Sequence, residues 1–421
     1  MAMRYETRLI TLLALTWGFV FLDRVVITYL FPILSAQFGF SAAEIGAINM
    51  VTSLGYIGAS IFVSILADRS GLRKRWLVPL VVLAAVFSGA SAFAASFAAF
   101  MILRFLVGTS EGPVFPLISS IVSAQTEPER FAMSIGVISL AATALTTVVG
   151  PIVVTQIAVA LGWQAAFVLT SLPTLLLGLL VWRMVREVDP AIVGRRAHAQ
   201  RIRAGDLTRV LAYRNVAVCL VLVSLVMLSL WSVAVYMPLY LTRVSQMSTS
   251  QMGLTMAAYG AAGVLWALVI PAVSNRVGRK PATIGFLLLA SIPFFALHFM
   301  VGAASLALFV LLASILTFMP LMFFGIISSE TVPASVAATA SALIMGVGEL
   351  FGAALAPGLL GAVADTFGLP TIYLVAGVSM LLASAVGLGL VETHPKLAAG
   401  RGTTPIHETR AGPAAGRSAN P

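Results

Sequence analysis

Long apolar segments dominate this chain and constrain its fold more than any other feature. A stretch of about 20 apolar residues spans the hydrocarbon core of a bilayer as a helix. Twelve such stretches follow one another, and in chain order they cover residues 9–34, 44–67, 76–93, 98–121, 131–161, 163–181, 215–241, 251–273, 282–300, 305–327, 335–364 and 370–391. Only 10% of the 421 residues are charged, whereas soluble domains have about 25%. The sequence therefore predicts an all-α polytopic membrane protein with 12 transmembrane helices.

Polar segments set the predicted domain boundaries. Residues 1–183 form an N-terminal six-helix bundle, residues 184–214 an arginine-rich central loop, and residues 215–391 a C-terminal six-helix bundle. Residues 392–421 are rich in Gly, Ala, Pro and Thr, which predicts a disordered tail. Lys and Arg favour cytoplasmic loops, so their placement predicts that both termini, the central loop and the tail are cytoplasmic. The first span lacks a cleavage site, so we expect it to remain as an anchor in the plasma (inner) membrane.

The two halves of the chain repeat one another. Asp68 and Gly71 follow the second span, and Asn275 and Gly278 follow the eighth, each pair at an offset of 207 residues. Two pairs of prolines, Pro32 with Pro238 and Pro151 with Pro357, repeat at an offset of 206. A nearly constant offset over several helices indicates a tandem duplication of a six-helix unit, with both units in the same membrane orientation.

Several classes of function are excluded by what the sequence lacks. It has one cysteine, Cys219, and therefore no intramolecular disulfide. It shows no phosphate-binding loop, no cluster of metal ligands and no nucleophile–base arrangement, so we expect neither an enzyme nor a bound cofactor. Its basic residues are not interleaved with aromatic residues, which argues against nucleic acid as a partner. The expected partners are a small solute, protons and the lipid bilayer, and we expect a monomer.

Adjacent charges inside the first span are the strongest functional signal. Asp23 and Arg24 together cost about 5–7 kcal/mol at the centre of a membrane helix, while the 16 Leu, Ile, Phe and Val residues of that span return at most about 5–10 kcal/mol. The pair is therefore expected to face a protein interior or a wet cavity. Counting residues along the helices places Arg104 at a similar depth. We accordingly expect Asp23, Arg24 and Arg104 to form one cluster, with Tyr56 near the midplane and Glu111 beneath it.

Two sets of residues resemble known transporters. The loop motif from Ser64 to Lys74, together with Arg104 and Gly108 in the fourth span, resembles the Major Facilitator Superfamily over the chain to about residue 392. A narrower resemblance is to the anion:cation symporters, which include sugar-acid/proton symporters. The residues that carry it are Asp23, Arg24, Gly55, Tyr56, Arg104, Gly108, Glu111, Gly112, Pro113 and Pro116. The resemblance implies two six-helix bundles, proton roles for Asp23 and Glu111, and substrate contact by Tyr56.

The residue types themselves suit proton-coupled transport of a carboxylate. An arginine can grip a carboxylate with two parallel hydrogen bonds, so Arg24, Arg104 or both are expected to bind the substrate. A neighbouring acid that gains and loses a proton links substrate binding to protonation. We expect Asp23 and Glu111 to do this, although a structural ion-pair role for each charge is the alternative. A separate structural role, in holding one conformation, is expected for the repeated loop motif, which comprises Asp68, Arg69, Gly71, Arg73, Lys74, Asn275, Arg276 and Gly278.

The C-terminal half contributes one acid and several aromatic residues. Glu349 in the eleventh span is expected to take part in proton coupling, and the alternatives are recognition of a hydroxyl-rich or cationic substrate and a plain ion pair with an arginine. Tyr236 and Tyr240 flank Pro238 and are expected to line the substrate path. Other functions left open are a proton antiporter that exports amphipathic compounds and a sensor that binds solute without moving it.

Overall fold

Twelve membrane-length helices make up the protein. The computed structural model describes residues 2–188 and 204–394, and within them every regular element is helical. The helices that are long and apolar enough to cross a membrane are α1 (Tyr5–Phe38), α2 (Ala42–Ala67), α3 (Arg73–Phe93), α4 (Phe97–Gln125), α5 (Glu129–Leu161), α6 (Trp163–Met184), α7 (Arg214–Arg243), α8 (Thr249–Val277), α9 (Arg279–Phe299), α10 (Ala303–Thr331), α11 (Val336–Phe367) and α12 (Pro370–Gly387). The predicted fold class is confirmed. Most of the predicted central loop (189–203) and of the predicted tail (395–421) lies outside the described residues.

The helix contacts repeat between the two halves. In the first half α1 packs against α5 and α6, α2 against α4, and α3 against α6. In the second half α7 packs against α11 and α12, α8 against α10, and α9 against α12. The halves meet where α2 packs against α11 and where α5 packs against α8. The fold is therefore two six-helix bundles with the same internal arrangement, as a tandem duplication predicts.

Matching caps begin the second helix of each half. Ser41 accepts a hydrogen bond from the backbone N–H of Glu44 (3.1 Å), and the Glu44 carboxylate accepts one from the N–H of Ser41 (2.9 Å). Ser248 and Gln251 make the same reciprocal pair at the start of α8. Such capping boxes satisfy backbone N–H groups that lack partners at the start of a helix. The offset between the two caps is again 207 residues, so the repeat extends to the signals that start these helices.

A repeated proline interrupts the regular hydrogen bonding of the fifth helix in each half, where the two halves meet. A proline removes one helical hydrogen bond and clashes with the carbonyl four residues earlier. A π-helical turn precedes each one, at Leu145–Val149 before Pro151 and at Glu349–Leu355 before Pro357. The carbonyl of Ala353, four residues before Pro357, accepts a hydrogen bond from the Asn49 amide of α2 (2.9 Å). A backbone group freed by the proline thus joins the two halves.

Cross-half contacts lie towards one face of the membrane. We call the end that carries the α2–α3 and α8–α9 connections the basic face and the other end the distal face. At the distal face the Asp365 carboxylate accepts hydrogen bonds from the backbone N–H groups of Ala42 (2.8 Å) and Ala43 (2.9 Å), which begin α2. The Tyr236 hydroxyl donates to the Ala42 carbonyl (3.1 Å). Hydrogen bonds between the halves, within the described ranges, lie from mid-membrane to this face, so the protein is closed on its distal side.

Glycines allow α2 and α4 to approach closely. A β-carbon at Gly108 would overlap the backbone carbonyl of Thr52, and one at Gly112 would overlap that of Tyr56. We therefore expect Gly108→Ala to destabilise the protein by about 1–3 kcal/mol, because α2 must shift to admit the methyl group. The measurement is thermal unfolding in detergent, followed by tryptophan fluorescence.

Gly58→Ala is the matched control for this variant. Gly58 lies in α2, and no atom lies within 4 Å of the position that a β-carbon would take. The control is expected to unfold at or above the wild-type temperature, since alanine is the better helix former. Equal unfolding temperatures for the two variants would contradict the close approach of α2 and α4.

Candidate functional site

A guanidinium group lies at mid-membrane between the two halves. Arg24, in α1, is only 5% exposed. Its guanidinium carbon lies 4.5 Å from the ring centre of Tyr56 in α2 and 5.0 Å from that of Trp231 in α7. Aromatic rings at such distances attract a cation to their faces. Because the two rings lie against the guanidinium carbon, an anion is left to approach Arg24 along the edge that carries its N–H groups.

An acid from the other half meets that edge. The Glu349 carboxylate of α11 lies 3.8 Å from Arg24 Nη2, and the same nitrogen donates to Ser53 Oγ (3.2 Å). Neither Arg24 Nε nor Glu349 Oε2 has a hydrogen-bond partner among the described residues. The pair is therefore an ion pair without a hydrogen bond. Glu349 begins the π-helical turn of α11, and π-turns occur frequently at functional sites.

Asp23 faces away from this pair, into the first half. Its carboxylate accepts hydrogen bonds from Ser88 of α3 (2.9 Å) and from Thr174 of α6 (2.6 Å), and it is fully buried. These two hydroxyl groups tie α1 to α3 and α6. Asp23 is thus held by hydroxyl groups, with no arginine within ion-pair distance in the described part of the chain.

Arg104 belongs to the same buried region as Asp23. It donates to the backbone carbonyl of Asp23 (3.1 Å) and to Ser91 Oγ (2.5 Å), and its guanidinium lies 5.3 Å from the Phe167 ring centre. It is fully buried. These contacts join α4 to α1, α3 and α6, so Arg104 fixes the packing around α1 at the level of the site.

The structure therefore divides the predicted cluster into two parts. Asp23 and Arg104 form one part inside the first half, and Arg24 with Tyr56 and Glu349 forms the other between the halves. Consecutive residues of an α-helix point about 100° apart, so Asp23 and Arg24 share a depth without sharing a direction. Counting along the helices predicted the common depth, and only the packed bundle shows the separation.

Glu111 lies at the break of α4. The helical segment Phe97–Glu111 stops before Gly112 and Pro113, and the segment Val114–Gln125 follows. The Glu111 side chain is fully buried, and neither carboxyl oxygen has a hydrogen-bond partner among the described residues. It lies within electrostatic range of Arg24 and of Asp23. A buried carboxylate without a hydrogen bond is costly, so this conformation favours the neutral acid at this position.

Tyr236 and Tyr240 are placed away from Arg24. The Tyr236 hydroxyl donates to the carbonyls of Pro357 (2.5 Å) and Ala42, at the closed distal face. The Tyr240 hydroxyl donates to the Leu297 carbonyl (2.6 Å), and its ring packs edge-on against Tyr373 within the second half. In this conformation the first joins the halves and the second stabilises the core.

The repeated loop motif ends helices and starts the next ones at the basic face. Gly71 and Gly278 adopt positive φ angles of 70° and 106°, which glycine accommodates without strain. The backbone N–H groups of Lys74 and Arg75 donate to Glu187, just as those of Arg279 and Lys280 donate to Glu392. Arg69 and Arg276 are exposed, Arg73 is buried, and Asn275 accepts from Arg279 (2.7 Å). The side chain of Asp68 lies outside the described part of the chain.

Trp231 is the functional candidate that the sequence reasoning passed over. It is one of many aromatic residues in the second half, and the common role of such residues is packing. It nevertheless stands 207 residues after Arg24, the same offset that relates the loop motifs. Applying the repeat to Arg24 would have found it. The hydroxyl partners Ser53, Ser88, Ser91 and Thr174 carry no such signal, because small hydroxyl residues are common in membrane helices.

Sequence comparison agrees with the fold. Residues 13–350 match the Major Facilitator Superfamily. The chain belongs to this family of membrane transporters, and it is an integral multi-pass membrane protein rather than an enzyme.

Several relatives within the family are named for the transport of organic acids. The chain is 25% identical over 433 residues to the "Putative tartrate transporter" of Agrobacterium vitis, covering 92% of this chain and 91% of that protein. It is 32% identical to the hexuronate transporter of Bacillus subtilis (strain 168) and 28% identical to the 4-hydroxybenzoate transporter of Pseudomonas putida. Those two matches cover 40% and 48% of this chain, and they span only 39% and 44% of the relatives' length.

A solved structure shares the architecture. The crystal structure of a bacterial homologue of the human lysosomal transporter Spinster superposes with a TM-score of 0.75, covering 91% of this chain and 95% of that one. At 18% identity, this likeness concerns the fold alone.

Proposed function

We propose that this protein is a secondary transporter that moves a small organic carboxylate together with protons by alternating access. The observation that carries the proposal is the Arg24 guanidinium, placed at mid-membrane between the halves with aromatic rings against it and its edge free of any close hydrogen bond to an acid. A carboxylate is the group that fits such an edge, since it can accept two parallel N–H bonds. The substrate carboxylate would take the place that Glu349 now occupies.

Three acids are proposed to carry the protons. Glu111 is buried without a hydrogen-bond partner, so its ionised form needs a rearrangement that brings it a cation or water. Glu349 loses its partner when a substrate takes Arg24, and a proton would then stabilise it. Asp23 is the third, because protonation would change its hydrogen bonds to α3 and α6 and thereby the orientation of α1.

The remaining predicted residues are proposed to contact the substrate, hold a helix in place or line the path, rather than to carry a proton. Tyr56 contacts both Arg24 and a substrate bound to it, while Arg104 holds α1 and contacts substrate only if the bundle rearranges. Tyr236 and Tyr240 would line the path when the distal face opens. We also propose cytoplasmic termini, with the bundles bounded at residues 183 and 215, so that the basic face is the cytoplasmic one and the loop motif stabilises the alternative, outward-open state.

The names of the relatives support an organic acid as the substrate. Tartrate, a hexuronate and 4-hydroxybenzoate have different carbon skeletons and share a carboxylate, which is the group that Arg24 would bind. The skeleton is therefore expected to be recognised by other residues of the cavity.

Transport in proteoliposomes tests the proposal. Purified protein is reconstituted, and uptake of labelled 4-hydroxybenzoate, D-glucuronate and tartrate is measured with and without an inwardly directed proton gradient. We expect at least one acid to accumulate only with the gradient, with protons entering alongside it. The neutral analogue 4-hydroxybenzamide is the control and is expected neither to accumulate nor to compete. Failure to move any of the three acids would contradict the proposal, and proton exit in exchange for solute would indicate an antiporter.

A further inference from the structure

The ion pair between Arg24 and Glu349 joins the two halves of the transporter at the centre of the membrane. Arg24 belongs to α1 and Glu349 to α11, and their side chains are 4% and 16% exposed. The two helices belong to different bundles, so the pair changes its geometry whenever the bundles move relative to one another. This distinguishes it from the Arg279–Glu330 pair (2.8 Å), whose members lie in the same half.

Arg24 needs an anion near it in every conformation that excludes water. Its surroundings supply the Tyr56 ring and the Ser53 hydroxyl from α2, Trp231 from α7, Glu111 from α4 and Glu349 from α11. Of these groups, Glu349 alone is an acid within ion-pair distance of the guanidinium. Asp23, the adjacent residue, is held on the far side of α1 by Ser88 and Thr174. A buried charge without a counter-ion is strongly disfavoured.

We propose that Glu349 is a tethered counter-anion that takes the place of the substrate carboxylate and so allows the empty transporter to change its orientation. The inference rests on the proposed function and assigns Glu349 a role beyond carrying a proton. With a substrate bound, the substrate carboxylate neutralises Arg24 while the halves move. Without a substrate, Glu349 neutralises it, and the empty site can pass through the closed intermediate.

The separation of 3.8 Å without a hydrogen bond fits this role. A pair held by two short, parallel hydrogen bonds would compete strongly with the substrate. Glu349 is near enough to neutralise Arg24 and makes no hydrogen bond to it that the substrate would have to break. Its place at the start of the π-helical segment Glu349–Leu355, four residues before Ala353, whose carbonyl Pro357 frees, puts it on the part of α11 where the helix departs from regular geometry.

Two transport modes distinguish this role from simple proton binding. Exchange of labelled for unlabelled solute across the membrane uses only the loaded transporter. Net transport, whether uphill or downhill, also requires the empty transporter to return. Glu349→Gln is therefore expected to reduce net downhill efflux of 4-hydroxybenzoate, D-glucuronate or tartrate by at least about tenfold, while exchange of the same acid stays close to the wild-type rate. Glu349→Asp keeps the charge and is expected to recover part of the net flux.

A conformational measurement tests the same point without any substrate. Spin labels on Ile61→Cys in α2 and Ala342→Cys in α11, both exposed positions, report the separation of the halves on the basic side in a Cys219→Ser background. In the empty wild-type protein we expect two separations, one for each orientation. In the empty Glu349→Gln variant we expect the closed intermediate to be disfavoured and the exchange between the two separations to slow.

Glu127→Gln is the matched control, because it removes a carboxylate from an exposed arginine pair within one half. It is expected to change neither the ratio of net flux to exchange nor the two separations. Unchanged net flux and an unchanged rate of exchange between the two separations in Glu349→Gln would overturn the inference and leave the proposed function intact. Absence of all transport by the wild type would instead overturn the proposed function, and the spin-label comparison would still decide the role of Glu349.

Discussion

Arg24→Lys is expected to lower kcat/KM for organic-acid transport by at least about tenfold, since a hydrogen bond to a charged group contributes about 1.5–3 kcal/mol. Lysine keeps the positive charge at this position. It lacks the planar fork that donates to both carboxylate oxygens, and it lacks the flat face that packs between Tyr56 and Trp231. The loss is therefore expected to come from geometry rather than from net charge.

Initial rates of uptake measure this effect, and a thermal-shift titration with the same acid separates binding from movement. Arg130→Lys is the control, because Arg130 pairs with Glu6 and Glu127 within the first half at the basic face and lies outside the site. We expect the control to transport at a rate near that of the wild type. A wild-type rate in Arg24→Lys would show that Arg24 is not the anion ligand and would favour Arg104 in that role.

Glu111→Gln is expected to uncouple transport from protons. Glutamine has nearly the same shape as the neutral acid, and the carboxyl group in this conformation is buried without a hydrogen bond to any described residue. The variant should therefore fold and bind solute as the protonated transporter does. It cannot release a proton, so we expect downhill flux and exchange to continue while accumulation driven by a proton gradient is lost.

Simultaneous recording of solute and proton movement measures this uncoupling. Glu127→Gln is the matched control, since Glu127 is an exposed acid at the basic face paired with Arg130. It is expected to accumulate solute as the wild type does. Accumulation against a gradient in Glu111→Gln would rule out Glu111 as the coupling acid. The outcome also differs from that expected for Glu349→Gln, in which downhill flux itself is lost.

Both effects follow from one arrangement of charge. Arg24 is shared between the two halves, whereas Asp23 and Arg104 are enclosed within the first. Arg24, together with Glu349, can respond to a substrate without disturbing the packing of the first bundle. The second group holds α1 in the rotation that presents Arg24 to the centre, so changes to Ser88 or Thr174 are expected to act on transport indirectly.

The depth of a side chain in the membrane could be predicted from the sequence, whereas its direction around the helix could not. Hydropathy placed all twelve helices, and counting along them placed Asp23, Arg24 and Arg104 at a common level. The direction of each side chain around its helix was not available, because it depends on which helices surround α1. The prediction of one cluster therefore became two, and Tyr236 lies at the distal closure rather than beside Arg24.

The internal repeat extends beyond the loop motifs to residues of the site. It relates the loop motifs, the capping boxes of α2 and α8 and the prolines that open α5 and α11. The same offset relates Arg24 to Trp231, and the structure brings these two residues into contact across the interface of the halves. A sequence repeat thus pointed to a contact that hydropathy alone could not indicate.

The sequence by itself determined that this protein is a duplicated bundle of twelve membrane helices with charged residues at membrane depth. It did so because the cost of exposing charge and backbone to lipid leaves few other arrangements for such a chain. Only the tertiary structure decided which charges share a space. Helix rotation and the packing of α2 and α7 against α1 place Arg24 between Tyr56, Trp231 and Glu349, and they place Asp23 out of reach on the other side of the same helix.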